Sequence, residues 1–188
     1  GLASVKAGEE VMAKPDYVLA YDFPGYTDVI FKQLKDEFGI QKIPEPDRFG
    51  IFIDHMVPTA TPAEENLHIG TRDWTKVNDV ALYERKGIGH QVASEVGFAT
   101  PGAFVVHFDG HVSQLGTFGT LAIGLRRNVL EAFAMERVSI RVPQTTRVDL
   151  VGELQPGVMA RDVFHHIVRV LGPASCRFQV LEIGGSAV

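Results

Sequence analysis

Apolar residues in this chain come in short continuous blocks, and several of those blocks close on an acid or a histidine. Tyr17-Val18-Leu19-Ala20-Tyr21 is a run of the kind shown by a strand buried on both faces. Asp22 stands at its end and Pro24-Gly25 follows as a turn. From Thr27 to Phe38 the period changes to that of a helix. Ile30, Phe31, Leu34 and Phe38 form one stripe, Thr27 is placed to cap it, and Gly39 follows as its terminator. Phe49-Gly50-Ile51-Phe52-Ile53 is a second buried run and ends in Asp54-His55. Thr61 and Glu64 have the spacing of a capping box with Pro62 at the first helical position, while Gly70 and the mixed polar stretch to Lys86 leave the end of that helix open.

In the second half, short strands are expected around Ile88 and from Ala103 to Phe108, with Pro101-Gly102 turning between them. Thr117 to Met135 reads as a helix interrupted by Gly119 and Gly124. Val138–Val142 and Arg147–Leu154 alternate polar and apolar residues, as half-exposed antiparallel strands do. Ala160 to Leu171 is an amphipathic helix with Val163, Phe164, Ile167, Val168 and Leu171 on one side, and Phe178 to Ile183 is a last strand. Alternating strands and helices give the fold class as α/β, a three-layer α/β/α arrangement with a mostly parallel sheet and a small antiparallel excursion.

Composition narrows the function classes. At 188 residues the chain suits one domain, residues 1–188, better than two. A net charge of −5 with no basic cluster beyond Arg126-Arg127 argues against nucleic acid as a partner. One cysteine, Cys176, excludes an internal disulfide and any multi-cysteine metal site built from this chain alone. No run reaches the length of a membrane span and the N-terminus has no signal pattern, so a soluble cytoplasmic protein is expected. The opening Gly1-Leu2-Ala3-Ser4 lacks an initiator Met and the chain stops just after a strand. Both ends suggest a portion of something longer.

The chemistry is concentrated where the apolar runs stop. Asp54-His55 follows one strand, Asp109-Gly110-His111 another, Gly87-Ile88-Gly89-His90 lies between them, and Glu182 closes the last. In an open α/β sheet, ligands bind beyond the carboxyl ends of the strands, so these residues are expected to converge. A carboxylate fixes the tautomer of a neighbouring imidazole and raises its basicity, which suits acid–base work. Glycines 110, 116 and 119 suggest backbone passing close to a ligand. His107, inside an apolar run, reads as a packed or hydrogen-bonded core histidine. His107 and His111 have helical metal-pair spacing, but they lie on a strand. Of His165-His166, one is expected at the solvent and one at the core border, and His68 carries no signal.

These segments together resemble the aconitase superfamily, in particular the large subunits of 3-isopropylmalate dehydratase and homoaconitase. The resemblance rests on Phe52-Ile53-Asp54-His55-Met56-Val57-Pro58, Gly87-Ile88-Gly89-His90-Gln91-Val92, and Asp109-Gly110-His111 with Gly116-Thr117-Phe118-Gly119. Val142-Pro143-Gln144-Thr145, Leu154-Gln155-Pro156-Gly157-Val158 with Ala160-Arg161-Asp162-Val163, and Leu181-Glu182 continue it in order. It implies a hydro-lyase that removes and re-adds water on a small hydroxy-di- or tricarboxylic acid, in amino-acid biosynthesis. A 4Fe-4S cluster with one open iron binds the substrate hydroxyl in that family.

By resemblance, Asp54-His55 helps protonate the leaving hydroxyl. His90 and His111 orient substrate and water, supported by Asp109 and Glu182. Gly110 and Asp22 are the substrate-side candidates. Where the family has Asp-Ser-His-Thr, this chain has Asp109-Gly110-His111-Val112, without the serine hydroxyl that would meet a substrate carboxylate. The three cysteines of the cluster and the serine base lie outside this chain in the family, and Cys176 matches none of them. The chain alone is therefore expected to bind no cluster and to be inactive, its partners being the remainder of the large subunit and a small swivelling subunit or domain. The alternatives are a mononuclear metal hydrolase using His55, His90, His111 and Asp109, or a catalytically dead fragment that binds a partner.

Overall fold

The computed structural model describes residues 4–21 and 27–188, the side chains of residues 27 and 28 excepted. Asp22, the Pro24-Gly25 turn and the cap expected of Thr27 lie outside the described residues. In chain order the elements are β1 (Glu10–Ala13), β2 (Tyr17–Tyr21), α1 (Thr27–Phe38), β3 (Phe49–Ile53), α2 (Pro62–Asn78), β4 (Ala81–Glu84) and α3 (Gly89–Glu95). There follow β5 (Phe104–His107), β6 (Leu121–Gly124), α4 (Val129–Met135), β7 (Val138–Arg141), β8 (Gln144–Asp149), α5 (Ala160–Leu171) and β9 (Gln179–Gly184). The chain divides into two compact units, Met12–Val138 and Gly1–Val11 with Ser139–Val188.

The larger unit is built on a five-stranded parallel sheet of order β4-β3-β2-β5-β6. The chain starts at the centre with β2, winds outward through β3 and β4, then returns beside β2 with β5 and winds out the other way through β6. The order therefore reverses between β2 and β5. All five residues of β3 are buried, as are Val18–Tyr21 of β2, which is why both read as continuous apolar runs rather than alternating ones.

Register separates the two faces. Tyr17, Leu19 and Tyr21 share one face with Phe52 and Val105, and pack against Val92, Ala93, Val112 and Leu115 of α3 and the 3-10 helix Gly110–Phe118. The opposite face meets the α1, α2 and α4 layer, where Phe49 packs on Phe133, Trp74 meets Phe133 edge-on and Phe31 stacks on Trp74. Helices thus cover both sides of a parallel sheet, the expected α/β arrangement.

α1 ends as expected at Gly39, whose φ of 66° no β-carbon hinders. α2 opens with a complete capping box. Thr61 Oγ1 accepts the Glu64 N–H at 3.3 Å and the Glu64 carboxylate accepts the Thr61 N–H at 3.2 Å. The helix runs through Gly70 to Asn78, and the unassigned polar stretch after it contains β4, whose Leu82 and Tyr83 make too short an apolar run to stand out.

Three expectations about the elements are corrected. Ile88 begins no strand. It is the residue before α3, and the flanking glycines disguise a helix start as a turn. Residues 117–135 are not one helix. Gly119 (φ 74°) closes the 3-10 helix, β6 pairs with β5, and α4 begins only at Val129, so the glycines end elements rather than interrupt one.

The third concerns the smaller unit, where β8 pairs with β9 in parallel, from Gln144↔Gln179 to Asp149↔Gly184. Alternation reports one-sided burial and not direction, and α5 is the crossover that parallel pairing requires. The antiparallel excursion is β1 with β7, where Gly8 bonds Val142 and Glu10 pairs with Arg141. Among the described residues, Ile167 is the one buried hydrophobic between positions 139 and 188. His165 and His166 are both exposed, so neither borders a core. No helix among the described residues is long and apolar enough to cross a membrane.

Candidate active site

The carboxyl ends of β2, β3 and β5, with the loop after β4, surround a cavity of about 410 Å³ in the larger unit. Its place is the point where the strand order reverses, the crevice in which doubly wound sheets bind ligands. Asp54, His55, His90, Asp109 and His111, all expected on the sequence to converge, line it. Tyr21 and His107 join them.

Asp54 is the hub of the first half. Its Oδ1 lies 2.6 Å from His55 Nδ1, and its Oδ2 accepts the Gly89 N–H at 2.5 Å. The acid side chain is 6% exposed while its histidine is 40% exposed, so a buried anion orients a reachable imidazole. Gly89 is required here. A β-carbon at that position would stand 2.5 Å from the Tyr21 ring and 3.0 Å from Asp54 Oδ2. Gly87 supplies a φ of 126° just before it. The Gly-Ile-Gly-His segment is thereby drawn against the end of β3, and His90 is set at the cavity.

The second half repeats the pairing. Asp109 caps the 3-10 helix by accepting the His111 N–H at 3.1 Å, and the same oxygen lies 2.6 Å from His111 Nδ1. Burial alone would raise the Asp109 carboxyl. The hydrogen bonds from the His111 ring and backbone outweigh it and hold the group below the usual aspartate value. An ionised carboxylate only accepts, so the proton on the shared line belongs to His111 Nδ1, and the side chain is 79% exposed. His90 and His111 face each other with ring centroids 6.0 Å apart and planes 18° from parallel.

Beneath these pairs lie two groups that stay neutral. Burial pushes the Tyr21 phenol well above its ordinary range, reinforced by the charges of Asp54 and Asp109. Burial pushes the His107 imidazole down to about 3. Their rings are in contact, with centroids 3.9 Å apart. His107 matches its expectation as a hydrogen-bonded core histidine. Tyr21 was not anticipated at the site, although a polar-tipped aromatic ending a buried strand at the sheet centre was a usable signal.

Three further residues were expected at the site. Glu182 belongs to the smaller unit, exposed on β9, where its carboxylate accepts Arg147 Nη1 at 2.5 Å. Gly110 starts the 3-10 helix with nothing within 4 Å of where its β-carbon would be, and Asp22 lies outside the described residues. Gly116 is equally open, so only Gly119 of the three glycines has a conformational reason for its identity. Among the described residues, no group of three or more His, Cys, Asp and Glu is placed to hold a metal ion.

A family model described as "Aconitase family (aconitate hydratase)" matches residues 4–188. A 3-isopropylmalate dehydratase large subunit of Methanopyrus kandleri is 30% identical over 186 residues, covering 97% of this chain and 44% of that protein. A probable methanogen homoaconitase large subunit of Methanosarcina mazei is 30% identical over 181 residues, covering 95% and 46%. A 3-isopropylmalate dehydratase large subunit of Deinococcus radiodurans is 31% identical over 185 residues, covering 97% and 42%. The chain spans less than half the length of these curated relatives.

Proposed function

Since the chain belongs to the aconitase family, we propose that it supplies the acid–base wall of a hydro-lyase site acting on a small hydroxy-di- or tricarboxylic acid. Polypeptide corresponding to the rest of a large subunit, and a small subunit, complete the site. The observation that carries this reading is the pair of carboxylate–imidazole contacts, Asp54–His55 and Asp109–His111, both at 2.6 Å, on one cavity at the reversal point of the sheet.

The chemistry follows from how each imidazole is held. Asp54 holds His55 by Nδ1, so Nε2 carries the transferable proton. In dehydration the C–O bond breaks with its electron pair going to oxygen, His55 gives that oxygen a proton, and water leaves. The carbon-bound proton goes to a base outside this chain. In hydration the steps reverse, and His55 takes the proton back from the incoming water. The Asp54 charge stabilises the imidazolium in both directions. His111, oriented by Asp109, and His90, stacked upon it, hold substrate and water, and Tyr21 and His107 form a floor that does not change charge near neutrality.

A 4Fe-4S cluster is a family expectation that the described residues do not fit. They include one cysteine, Cys176, which lies in the smaller unit. The chain by itself is proposed to be inactive.

The test is dehydration of 3-isopropylmalate by the assembled enzyme, followed through the absorbance of the new double bond. His55→Gln should lower kcat by about 10²–10⁴-fold, the usual worth of a general acid. Full activity in that variant, or dehydration by the 188 residues alone, would overturn the reading.

A further inference from the structure

His107 is a buried, nucleophilic and titratable side chain that the proposed proton transfers leave unused. It is completely buried, and it pairs in register with Leu19 across the two strands at which the sheet order reverses. Its Nδ1 accepts the backbone N–H of Asp109 at 2.6 Å. An imidazole that accepts through Nδ1 is neutral and carries its proton on Nε2. That Nε2 has no hydrogen-bond partner among the described residues. A buried donor left without an acceptor costs on the order of 1–3 kcal/mol, so an apolar residue at 107 would serve the core better. The core therefore does not explain this histidine; the bond to Asp109 does.

That bond acts on the residue that orients His111. Asp109 has one amide, taken by His107, and one carboxylate, turned forward onto the His111 N–H and Nδ1. The strand before it is fixed by Leu125 and Arg126, whose N–H groups bond the carbonyls of His107 and Phe108 at 2.7 and 3.0 Å. On its other side the backbone is closed by Gly124, where a β-carbon would lie 2.8 Å from the Asp109 carbonyl oxygen. Asp109 is thus held at its amide, with Gly124 passing close to its carbonyl.

We propose that His107 is the positioning residue of the Asp109–His111 pair: its Nδ1 fixes the Asp109 amide so that the carboxylate meets His111 Nδ1. The proposal rests on reading that pair as acid–base machinery, and its test uses no activity, so failure of the hydro-lyase reading would leave its outcome readable. The measurement is ¹⁵N NMR of the histidine rings in the 188-residue chain, wild type against His107→Asn, which keeps an acceptor at the Nδ1 position, and His107→Leu, which keeps none.

In the wild type His107 should appear as a neutral Nε2–H ring and His111 mainly as the Nδ1–H form. His107→Asn should keep the His111 tautomer. His107→Leu should lower its Nδ1–H to Nε2–H ratio several-fold, and His55 should be unchanged in all three. The proposal is overturned if His111 is the same in the leucine variant, if asparagine and leucine act alike, or if His55 moves as much as His111. Should His107→Leu not fold, the wild-type ring form and the retained tautomer in His107→Asn still decide, and loss of either overturns the proposal.

Discussion

The Gly89 amide donates to Asp54 Oδ2 at 2.5 Å, and this one bond ties the end of β3 to the first residue of α3. It couples two cavity histidines, because Asp54 also holds His55 and Gly89 is followed by His90. Gly89→Ala should therefore do more than crowd a core. Its methyl would enter the Tyr21 ring, an overpacking that typically costs about 1–3 kcal/mol, and would push the amide off Asp54. Urea denaturation should report the loss, and ring NMR should show His55 and His90 both displaced. Stability and spectra equal to wild type would show that residue 89 has room for a methyl group.

Stability should depend on pH through His107. Burial lowers its folded-state value to about 3, while in the unfolded chain it titrates near 6.5. Between these values the unfolded chain binds a proton that the folded chain does not. The contribution is therefore complete above about 6.5 and is lost as pH falls toward 3. His107→Asn removes the group from the balance. The difference in urea midpoint between variant and wild type should move in favour of the variant as pH falls from 7.5 to 4. Parallel curves over that range would contradict the assignment.

Gly110 stands where the family resemblance implies a serine, and nothing lies within 4 Å of where its β-carbon would be. Gly110→Ser should fold with an unfolding free energy within about 0.5 kcal/mol of wild type, the usual range for an unconstrained surface change. Thermal and urea unfolding check this. A loss of about 2 kcal/mol or more would mean that the glycine is required by the backbone.

The Thr61–Glu64 box sets where α2 begins and hence how the loop after Asp54-His55 returns to the sheet. Thr61→Ala should cost about 1 kcal/mol, measured by denaturant midpoint at constant slope. Thr61→Ser should restore most of it, because the hydroxyl is the working part. An alanine variant as stable as wild type would show that Glu64 alone suffices.

Much of the larger unit was legible because its signals are local. β2, α1 and β3 lie at the residues that their apolar patterns mark, and Asp54, His55, His90, Asp109 and His111 line one cavity. What was hidden depends on partners far along the chain. The Gly89 N–H is satisfied by Asp54, so its helix start carries no local cap to be recognised. Gly124 is small because Gly110 passes 2.7 Å from where its β-carbon would be, so it read as a helix interruption. The direction of β8 is decided by β9, and alternation along one strand is silent about that. Tyr21 and His107 looked like core because they are core; only their adjacency across β2 and β5 makes them the floor of a cavity.

The reversal of strand order gives this unit two arms, each with its own carboxylate-held imidazole. Residues 17–95 carry Asp54–His55 and His90, and residues 103–135 carry Asp109–His111. His90 from the first arm faces His111 from the second, so a ring pair is a seam between two separately wound halves. A break in the backbone near the Pro101-Gly102 turn would divide the chain along that seam, and rejoining of the two pieces could be followed by the His90–His111 contact alone.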